Sequence, residues 1–240
     1  MQEQLPGQPR ERPREVPREG LPIGRAAFLA TILAGVGGIA VAPSVASFVN
    51  RATNGLPAGI GSLVPGGGWR IYSIVTPLPT FDPASYALRV HGEVENPVTL
   101  RFREVAALAG ESQVSTFHCV TGWSVSNVHW EGVRASTIAA MVRPKPSAKY
   151  VTFQSLEAPY VDQLTRAQFE LDDTMLARHM NGKPVTREHG APLRLVVPQM
   201  YGYKGVKWLA EIRYDSTPAP GFWEQRGYDT DAWIGRSNGF

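Results

Sequence analysis

The chain has 240 residues, of which 43% are hydrophobic and 19% are charged, and its formal net charge is +3. With 24 Gly and 20 Pro, this composition is typical of a loop-rich globular protein and excludes a coiled-coil or wholly disordered chain. Basic residues are mixed with acidic ones and no Lys/Arg run occurs, so we expect no nucleic-acid partner.

Three segments are predicted ahead of the folded domain. Residues 1–25 are rich in Pro, Arg and Glu and lack aromatic residues, which predicts a disordered leader. Residues 26–49 carry no charge and are long enough to span a bilayer as a helix. They predict either a cleavable export signal or a retained membrane anchor. Residues 50–68 are rich in Gly and Pro and predict a flexible linker.

The flanks of the apolar segment predict its orientation. Arginines precede it, which favours an N-terminus on the cytoplasmic side. Residues 24–29 resemble a twin-arginine export signal in which Gly24 replaces the first arginine. We therefore expect the domain, residues 69–240, to lie outside the cytoplasm, periplasmic or on the outer face of the membrane, and to be tethered if residues 26–49 are not cleaved.

Hydrophobic alternation predicts short strands mixed irregularly with short helices. We predict strands at Tyr86–Val94, Val114–Phe117, Tyr150–Phe153, Leu193–Val197 and Lys207–Tyr214. We predict helices at Phe102–Leu108, from an N-cap at Ser136 to Val142, and from Leu171 through Met180 to a stop at Asn181-Gly182. Residues 69–80 predict a short strand or extended segment, and Trp130–Val133 a turn. Because the order lacks a strict βαβ rhythm, it favours an α+β domain over a Rossmann fold.

Cys119 is the one cysteine of the chain and is predicted to lie in a loop after a strand. A single cysteine excludes an intramolecular disulfide, a protein-held iron–sulfur cluster and covalently attached haem. Cysteine is often a small buried apolar residue, and that interpretation stays open. The other interpretation is a soft thiolate ligand for a thiophilic metal. The histidines show no zinc-binding spacing, which disfavours a conventional zinc site.

A second candidate site lies between His189 and Trp208. Arg194 follows an apolar stretch, where an unpaired charge is costly, and its guanidinium suits a phosphate group. Glycines at 202 and 205 would let backbone amides approach an anion, and Lys204 and Lys207 add positive charge. The alternative is that Arg194 pairs with an internal carboxylate such as Glu211, while the lysines form a solvated edge.

Taken together, four ordered segments resemble the sulfite oxidase-like, molybdopterin-dependent oxidoreductases. The matching segments are residues 118–124 (HCVTGWS), 148–151 (AKYV), 189–194 (HGAPLR) and 201–208 (YGYKGVKW). The resemblance extends over about residues 69–233. It implies a sulfite oxidase-type fold with a mostly β core and short surrounding helices, and Mo-molybdopterin as the cofactor.

The resemblance also implies roles for individual residues. Cys119 would ligate molybdenum, and Arg194 and Lys207 would bind the phosphate of the pterin. Backbone groups of Gly205 and Val206 would contact the cofactor. Further contacts would come from the hydroxyl of Ser155 and from the ring of His189, which stands where one branch of the family has Asn.

The reaction implied is a two-electron oxygen-atom transfer on a small sulfur- or nitrogen-oxo substrate. Electrons would be exchanged with a separate carrier, for which a membrane cytochrome b is one candidate. The C-terminal residues 222–229 would either meet that carrier or pack on their own domain. Thr121 stands where the periplasmic methionine-sulfoxide reductases have Glu. Four cationic candidates for an oxyanion substrate are Arg70, His118, His129 and Arg134.

Two other functions stay open at this point. One is a membrane-tethered module that keeps the fold without catalysis. The other is a hydrolase in which Cys119 acts as the nucleophile beside a histidine, although no orienting Asp or Asn stands at a recognisable position.

Overall fold

A computed structural model describes residues 68–236 of the chain. The predicted leader, the apolar segment at 26–49 and nearly all of the linker lie outside the described residues. Within residues 68–236, no helix is long and apolar enough to cross a membrane. The strands are β1 (Ala87–Gly92), β2 (Val98–Arg101), β3 (Glu111–His118), β4 (Ser124–Arg134), β5 (Tyr150–Ser155), β6 (Val161–Thr165), β7 (Met175–Met180), β8 (Lys183–Pro184), β9 (Arg194–Val196) and β10 (Leu209–Asp215).

The helices are short and lie between the strands. They are α1 (Phe102–Ala107), α2 (Ala135–Val142) and α3 (Arg166–Phe169), with single 3₁₀ turns at Gly202–Lys204 and Glu224–Arg226. One sheet has the strand order β2-β1-β10-β5-β6, and the other has the order β3-β4-β7-β8 with β9 paired to β7. Only the β1–β10 pair is parallel among the described strands. The predicted α+β class with a mostly β core is confirmed.

Two hydrophobic cores hold the domain together. The larger one joins the first sheet to α2 and includes Leu88, Ile138 and Phe153, all without solvent exposure. Burying a side chain of this size contributes roughly 1.5–3 kcal/mol. The smaller core lies on β4, β7 and β9, around Trp130 and Met175. Because β9 begins at Arg194, the smaller core positions this predicted cofactor-binding residue.

Two predictions about secondary structure are wrong in the second sheet. The residues Trp130–Val133 belong to β4, where Gly132 allows close approach to the backbone of β7. The segment Met175–Met180 is strand β7, not a helix. Asn181 and Gly182, with φ of 53° and 74°, turn the chain from β7 into β8. An Asn-Gly pair with two positive φ values is typical of a hairpin turn.

Element boundaries differ elsewhere too. Helix α2 has Arg134 as its N-cap, so the predicted cap at Ser136 is wrong. The residues 69–80 form no strand, and residues 74–77 are bends, so the predicted short strand or extended segment is wrong for this part. Strands β2, β6 and β8, the first part of β4 (residues 124–129) and helix α3 are not among the predicted elements. The remaining predicted strands and the helix at Phe102–Leu108 are confirmed with shifts of a few residues at their ends.

Candidate functional site

Cys119 lies in the tight loop that joins β3 to β4. Its amide donates to the carbonyl of Trp123 (2.9 Å), and its carbonyl accepts from the amide of Gly122 (3.0 Å). Gly122 has φ of +89°, a conformation that glycine adopts without steric cost. The loop is thus fixed by its own backbone and holds a half-buried thiol at one end of the second sheet.

The sulfur of Cys119 has a defined polar environment. Its Sγ lies 3.2 Å from the hydroxyl of Thr121. Burial raises the pKa of the thiol, whereas the contact with Thr121 and the charge of Arg70 lower it. The guanidinium of Arg70 lies 6.0 Å from the ring centre of Trp123. The hydrogen-bond partner of the sulfur is a hydroxyl and not a histidine, which disfavours the nucleophilic hydrolase.

Arg194 is a deeply buried cation with only 4% of its surface exposed. One Nη donates to the carbonyl of His189 (3.1 Å), and the guanidinium lies over the rings of Trp130 (5.1 Å) and Phe117 (5.9 Å). Its Nε has no hydrogen-bond partner among the described residues. Burial lowers the pKa of Arg194 to about 10, so the side chain stays charged at neutral pH.

The suggested pairing of Arg194 with Glu211 is wrong. Glu211 lies on β10 in the first sheet and accepts from Arg89 and from His91 (3.0 Å). Within residues 68–236, no carboxylate forms an ion pair with Arg194. A buried guanidinium without a counter-ion is costly, and an incoming anion would provide one.

A small cleft of about 20 Å³ lies beside this guanidinium. Its walls include Ser115, Phe117, Arg194, Val197 and Gly205. A Cβ atom on Gly205 would lie 3.0 Å from the carbonyl oxygen of Leu195 and 3.4 Å from an Nη of Arg194. Glycine at this position therefore keeps the backbone of residues 205–207 against the buried cation.

Lys207 and His189 flank Arg194. The ammonium of Lys207 donates to the carbonyl of Tyr72 and lies 4.2 Å from the ring centre of Trp208. Burial, together with the charge of Arg194, lowers the pKa of Lys207 to about 7, although Glu157 opposes the shift. Burial and the two nearby cations lower the pKa of His189 to about 4, so this imidazole is neutral at pH 7.

Ser155 and Val206 support the cluster from inside the protein. The hydroxyl of Ser155 donates to the carbonyl of Lys207 (2.8 Å) and accepts from the amide of Glu157 (2.9 Å). The carbonyl of Val206 accepts from the amide of Leu195 (2.8 Å), while its side chain is fully buried. Both residues fix the backbone next to Lys207.

An aromatic wall joins the Cys119 loop to the cationic cluster. We use this name for Trp69, Phe117 and Trp123. The ring of Trp69 lies 4.8 Å from Phe117, 6.3 Å from Trp123 and 4.8 Å from His189. Since Phe117 also lies under the guanidinium of Arg194, the aromatic wall extends from the Cys119 loop to Arg194 and His189.

Not every predicted cation belongs to the site. Lys204 is buried in ion pairs with Asp162 (2.8 Å) and Glu224, so it is neither a solvated edge nor available to an anion. Arg134 binds Glu111 (3.0 Å) on the strand β3. Arg70 is the predicted oxyanion candidate whose charge reaches Cys119.

Two residues near the site were not predicted from the sequence. Glu157 is buried, and it accepts from the hydroxyl of Ser73 and from the amides of residues 74 and 75. These hydrogen bonds hold residues 73–75 beside Lys207. Tyr228 lies close enough to Cys119 for the thiolate charge to raise its pKa, after burial as the main cause. No local motif identifies either residue, because their partners are distant in sequence.

The fold and the site together define a class of protein. One half-buried thiol, a buried cation without counter-ion and glycine-lined backbone suit an enzyme that holds a metal through a thiolate and a phosphate-bearing cofactor. No group of three or more His, Cys, Asp or Glu in residues 68–236 could hold a metal. A dithiolene pterin, which brings its own sulfur ligands and a phosphate, fits the residues present.

Comparison with known proteins agrees with this class. The family described as "Oxidoreductase molybdopterin binding domain" matches residues 75–223. The chain belongs to this family, so the predicted enzyme class and the cofactor, Mo-molybdopterin, are confirmed. A relative named uncharacterized oxidoreductase YuiH, from Bacillus subtilis, is 39% identical over 154 residues, which are 63% of this chain and 77% of that protein.

Other relatives share part of their length with this chain. The protein-methionine-sulfoxide reductase catalytic subunit MsrP of Xanthomonas axonopodis pv. citri is 33% identical over 150 residues, 56% of this chain and 46% of that protein. The chain therefore spans about half the length of this relative. The sulfane dehydrogenase SoxCD of Paracoccus pantotrophus is similar in fold, with a TM-score of 0.54 and 24% identity, over 58% of this chain and 40% of that chain.

Proposed function

We propose that the chain is the molybdenum-binding subunit of an oxidoreductase that transfers an oxygen atom to or from a small sulfur-oxo compound. The observation that carries the proposal is the buried guanidinium of Arg194, which lacks a carboxylate partner within residues 68–236 and shares one aromatic wall with the thiol of Cys119. A cation and a soft ligand in this arrangement suit the phosphate end and the metal end of one cofactor.

Each residue of the cluster has a distinct role in holding the cofactor. Arg194 and Lys207 bind the phosphate, Lys207 in its protonated form. The backbone of Gly205 and Val206 lies against the same group, because no side chain at 205 intervenes. Ser155 donates a hydrogen bond to the carbonyl of Lys207 and so positions the backbone at this residue. His189 is neutral and offers a hydrogen bond to the pterin without adding charge.

The metal end is formed by the Cys119 loop. The thiolate of Cys119 ligates molybdenum, and the bound cofactor supplies two-electron oxygen-atom transfer. The charge of Arg70 stabilises the thiolate and an anionic substrate alike. The hydroxyl of Thr121 lies 3.2 Å from the sulfur and stabilises the thiolate by a hydrogen bond.

A sulfur-oxo substrate is favoured by the name of one group of relatives, the protein-methionine-sulfoxide reductases. Electrons pass to or from a separate carrier, since the chain has one cysteine and lacks a motif for covalent haem. A membrane cytochrome b suits an enzyme exported or anchored through residues 26–49. The proposed location is therefore periplasmic or on the outer face of the membrane.

The test is to express the full chain in a host that makes molybdopterin and to measure molybdenum and pterin in the purified protein. We expect about one of each per chain. Activity is then measured with a reduced dye on sulfoxides and N-oxides, and with an oxidised dye on sulfite. Protein without molybdenum and pterin would contradict the proposal, and turnover of N-oxides alone would contradict the sulfur-oxo substrate.

A further inference from the structure

The C-terminal residues 219–235, which we name the C-terminal strap, lie on the segment that leads into the anion-binding backbone. The carbonyl of Ala232 accepts from the amide of Tyr201 (2.9 Å), and the amide of Ile234 donates to the carbonyl of Gln199 (3.1 Å). The hydroxyl of Tyr203 donates to the carbonyl of Asp229 (2.8 Å). The strap therefore covers residues 199–204, directly ahead of Gly205.

Lys204 is the centre of a buried ion cluster between this segment, strand β6 and the strap. Its ammonium binds Asp162 (2.8 Å), the carbonyl of Gln163 (3.1 Å) and Glu224. Lys204 is 1% exposed and the carboxylates of Asp162 and Glu224 are almost as deeply buried. Breaking a buried pair leaves an uncompensated charge, so such clusters resist opening.

Contacts of Phe222 and Tyr160 connect this ion cluster to both the strap and the covered segment. The amide of Phe222 donates to the carbonyl of Val161 (2.7 Å), and the ring of Phe222 stacks on Tyr160 at 5.7 Å. The hydroxyl of Tyr160 donates to the carbonyl of Tyr203 (2.6 Å). Glu224 therefore binds Lys204 of the covered segment, while Phe222, two residues earlier in the strap, is fixed on Val161 and Tyr160.

Aromatic rings also pack the strap on the covered segment. The ring of Tyr228 lies 5.2 Å from the rings of Tyr203 and Trp223. One end of the Lys204 connection therefore adjoins Gly205–Lys207, and the other end lies in the strap.

We propose that Lys204 is a positioning residue that couples the anion-binding backbone of residues 205–207 to the C-terminal strap. Through Glu224, seating of the strap on residues 199–204 and retention of the cofactor phosphate become one cooperative event. This inference rests on the proposed function for the identity of the anion. It differs from that function in assigning a role to residues that contact neither the metal nor the phosphate.

The experiment uses Glu224→Gln, which removes one charge of the cluster without changing the size of the side chain. Hydrogen–deuterium exchange is measured in the full-length protein, and loss of molybdenum is followed after dilution into buffer without cofactor. We expect amides of both the strap and residues 205–207 to exchange faster, and molybdenum to be lost about tenfold faster than from wild type.

The matched control is Glu95→Gln, which breaks the ion pair between Glu95 and Arg143 (2.8 Å), a pair that has no contact with the strap. It should leave exchange at 205–207 and molybdenum loss as in wild type. If Glu224→Gln speeds exchange in the strap alone and molybdenum loss is unchanged, the coupling is wrong. If wild type contains no cofactor, the proposed function fails, and the exchange at 205–207 still decides whether Lys204 couples the two segments.

Discussion

The guanidinium of Arg194 lies 5.1 Å over the ring of Trp130 while its Nε has no hydrogen-bond partner within the described residues. The indole face stabilises the cation in part, and the carbonyl of His189 takes one further hydrogen bond. Neither replaces a counter-ion at this degree of burial. We interpret this charge as a binding group that the protein maintains at a cost in stability.

The first prediction concerns Arg194→Gln. Removal of a buried, unpaired charge should leave the free energy of unfolding of the cofactor-free protein unchanged or raise it by about 1–2 kcal/mol. The same change should reduce the molybdenum content of purified protein by roughly tenfold or more, because a charged hydrogen bond to phosphate contributes about 1.5–3 kcal/mol. Urea unfolding and metal analysis measure the two effects.

Arg178→Gln provides the comparison. This arginine is also partly buried, but it donates to the carbonyls of Val105 (2.8 Å), Ala106 and Leu108 (3.2 Å) at the end of α1. Its loss should lower the free energy of unfolding and spare the cofactor content. The interpretation of Arg194 is wrong if its variant behaves like that of Arg178.

The site was predictable where its chemistry is local in sequence. Cys119, Arg194 and Lys207 lie in short segments where glycine stands within a few residues of the thiol or cation. The secondary-structure prediction is wrong at Asn181-Gly182, since this dipeptide is favoured both at the end of a helix and in a hairpin turn. No local feature of the sequence indicates that Met175–Met180 is a strand that pairs with both β4 and β9.

Contacts between distant residues could not be predicted. Glu157 binds a segment more than 80 residues earlier in the chain, and the partners of Lys204 lie 42 and 20 residues away. Lys204 and Lys207 have the same charge and lie three positions apart in one short segment. Only the fold separates them, because one faces two buried carboxylates and the other borders the cationic cluster.

The second prediction is that Cys119→Ser abolishes turnover and leaves the fold intact. The loop is held by backbone bonds between residues 119, 122 and 123, which serine preserves. A serine hydroxyl is a harder and more basic ligand than a thiolate, so molybdenum should be lost or bound without its sulfur ligand. X-ray absorption should show one fewer sulfur, while circular dichroism should match wild type.

The third prediction is that phosphate affinity falls as the pH rises above 7. Burial lowers the pKa of Lys207 to about 7, so in the free site the ammonium is lost above that pH. A bound anion favours the charged form, and binding must then take up a proton. Affinity of cofactor-free protein for inorganic phosphate, measured by calorimetry, should decrease from pH 7 to 9.

The matched variant for this effect is Lys207→Arg. A guanidinium keeps its charge throughout this range, while inorganic phosphate becomes more anionic, so the phosphate affinity of this variant should not fall from pH 7 to 9. Lys183→Arg, a change at an exposed lysine on β8, should reproduce the wild-type curve. Equal slopes for wild type and Lys207→Arg would rule out Lys207 as the titrating group.

The fourth prediction is a pH dependence of stability that originates at Asp162. Burial and the nearby charge of Glu224 raise the pKa of Asp162 to about 7, although Lys204 opposes the shift. Between pH 4 and 7 the folded protein therefore holds a proton that the unfolded chain releases. The contribution to stability is largest near pH 4 and is lost as the pH rises towards 7, by up to about 1.4 kcal/mol per pH unit.

Asp162→Asn should remove this dependence, because the amide oxygen still accepts from Lys204 and from the amide of Gln163 but cannot titrate. Other groups titrate in the same range, so the quantity to measure is the difference in free energy of unfolding between variant and wild type from pH 5 to 8. We expect this difference to change steadily in favour of the variant. The same difference for Asp173→Asn, an exposed partner of Gln199 (3.1 Å), should stay constant. A constant difference for Asp162→Asn would mean that the buried cluster remains fully ionised throughout.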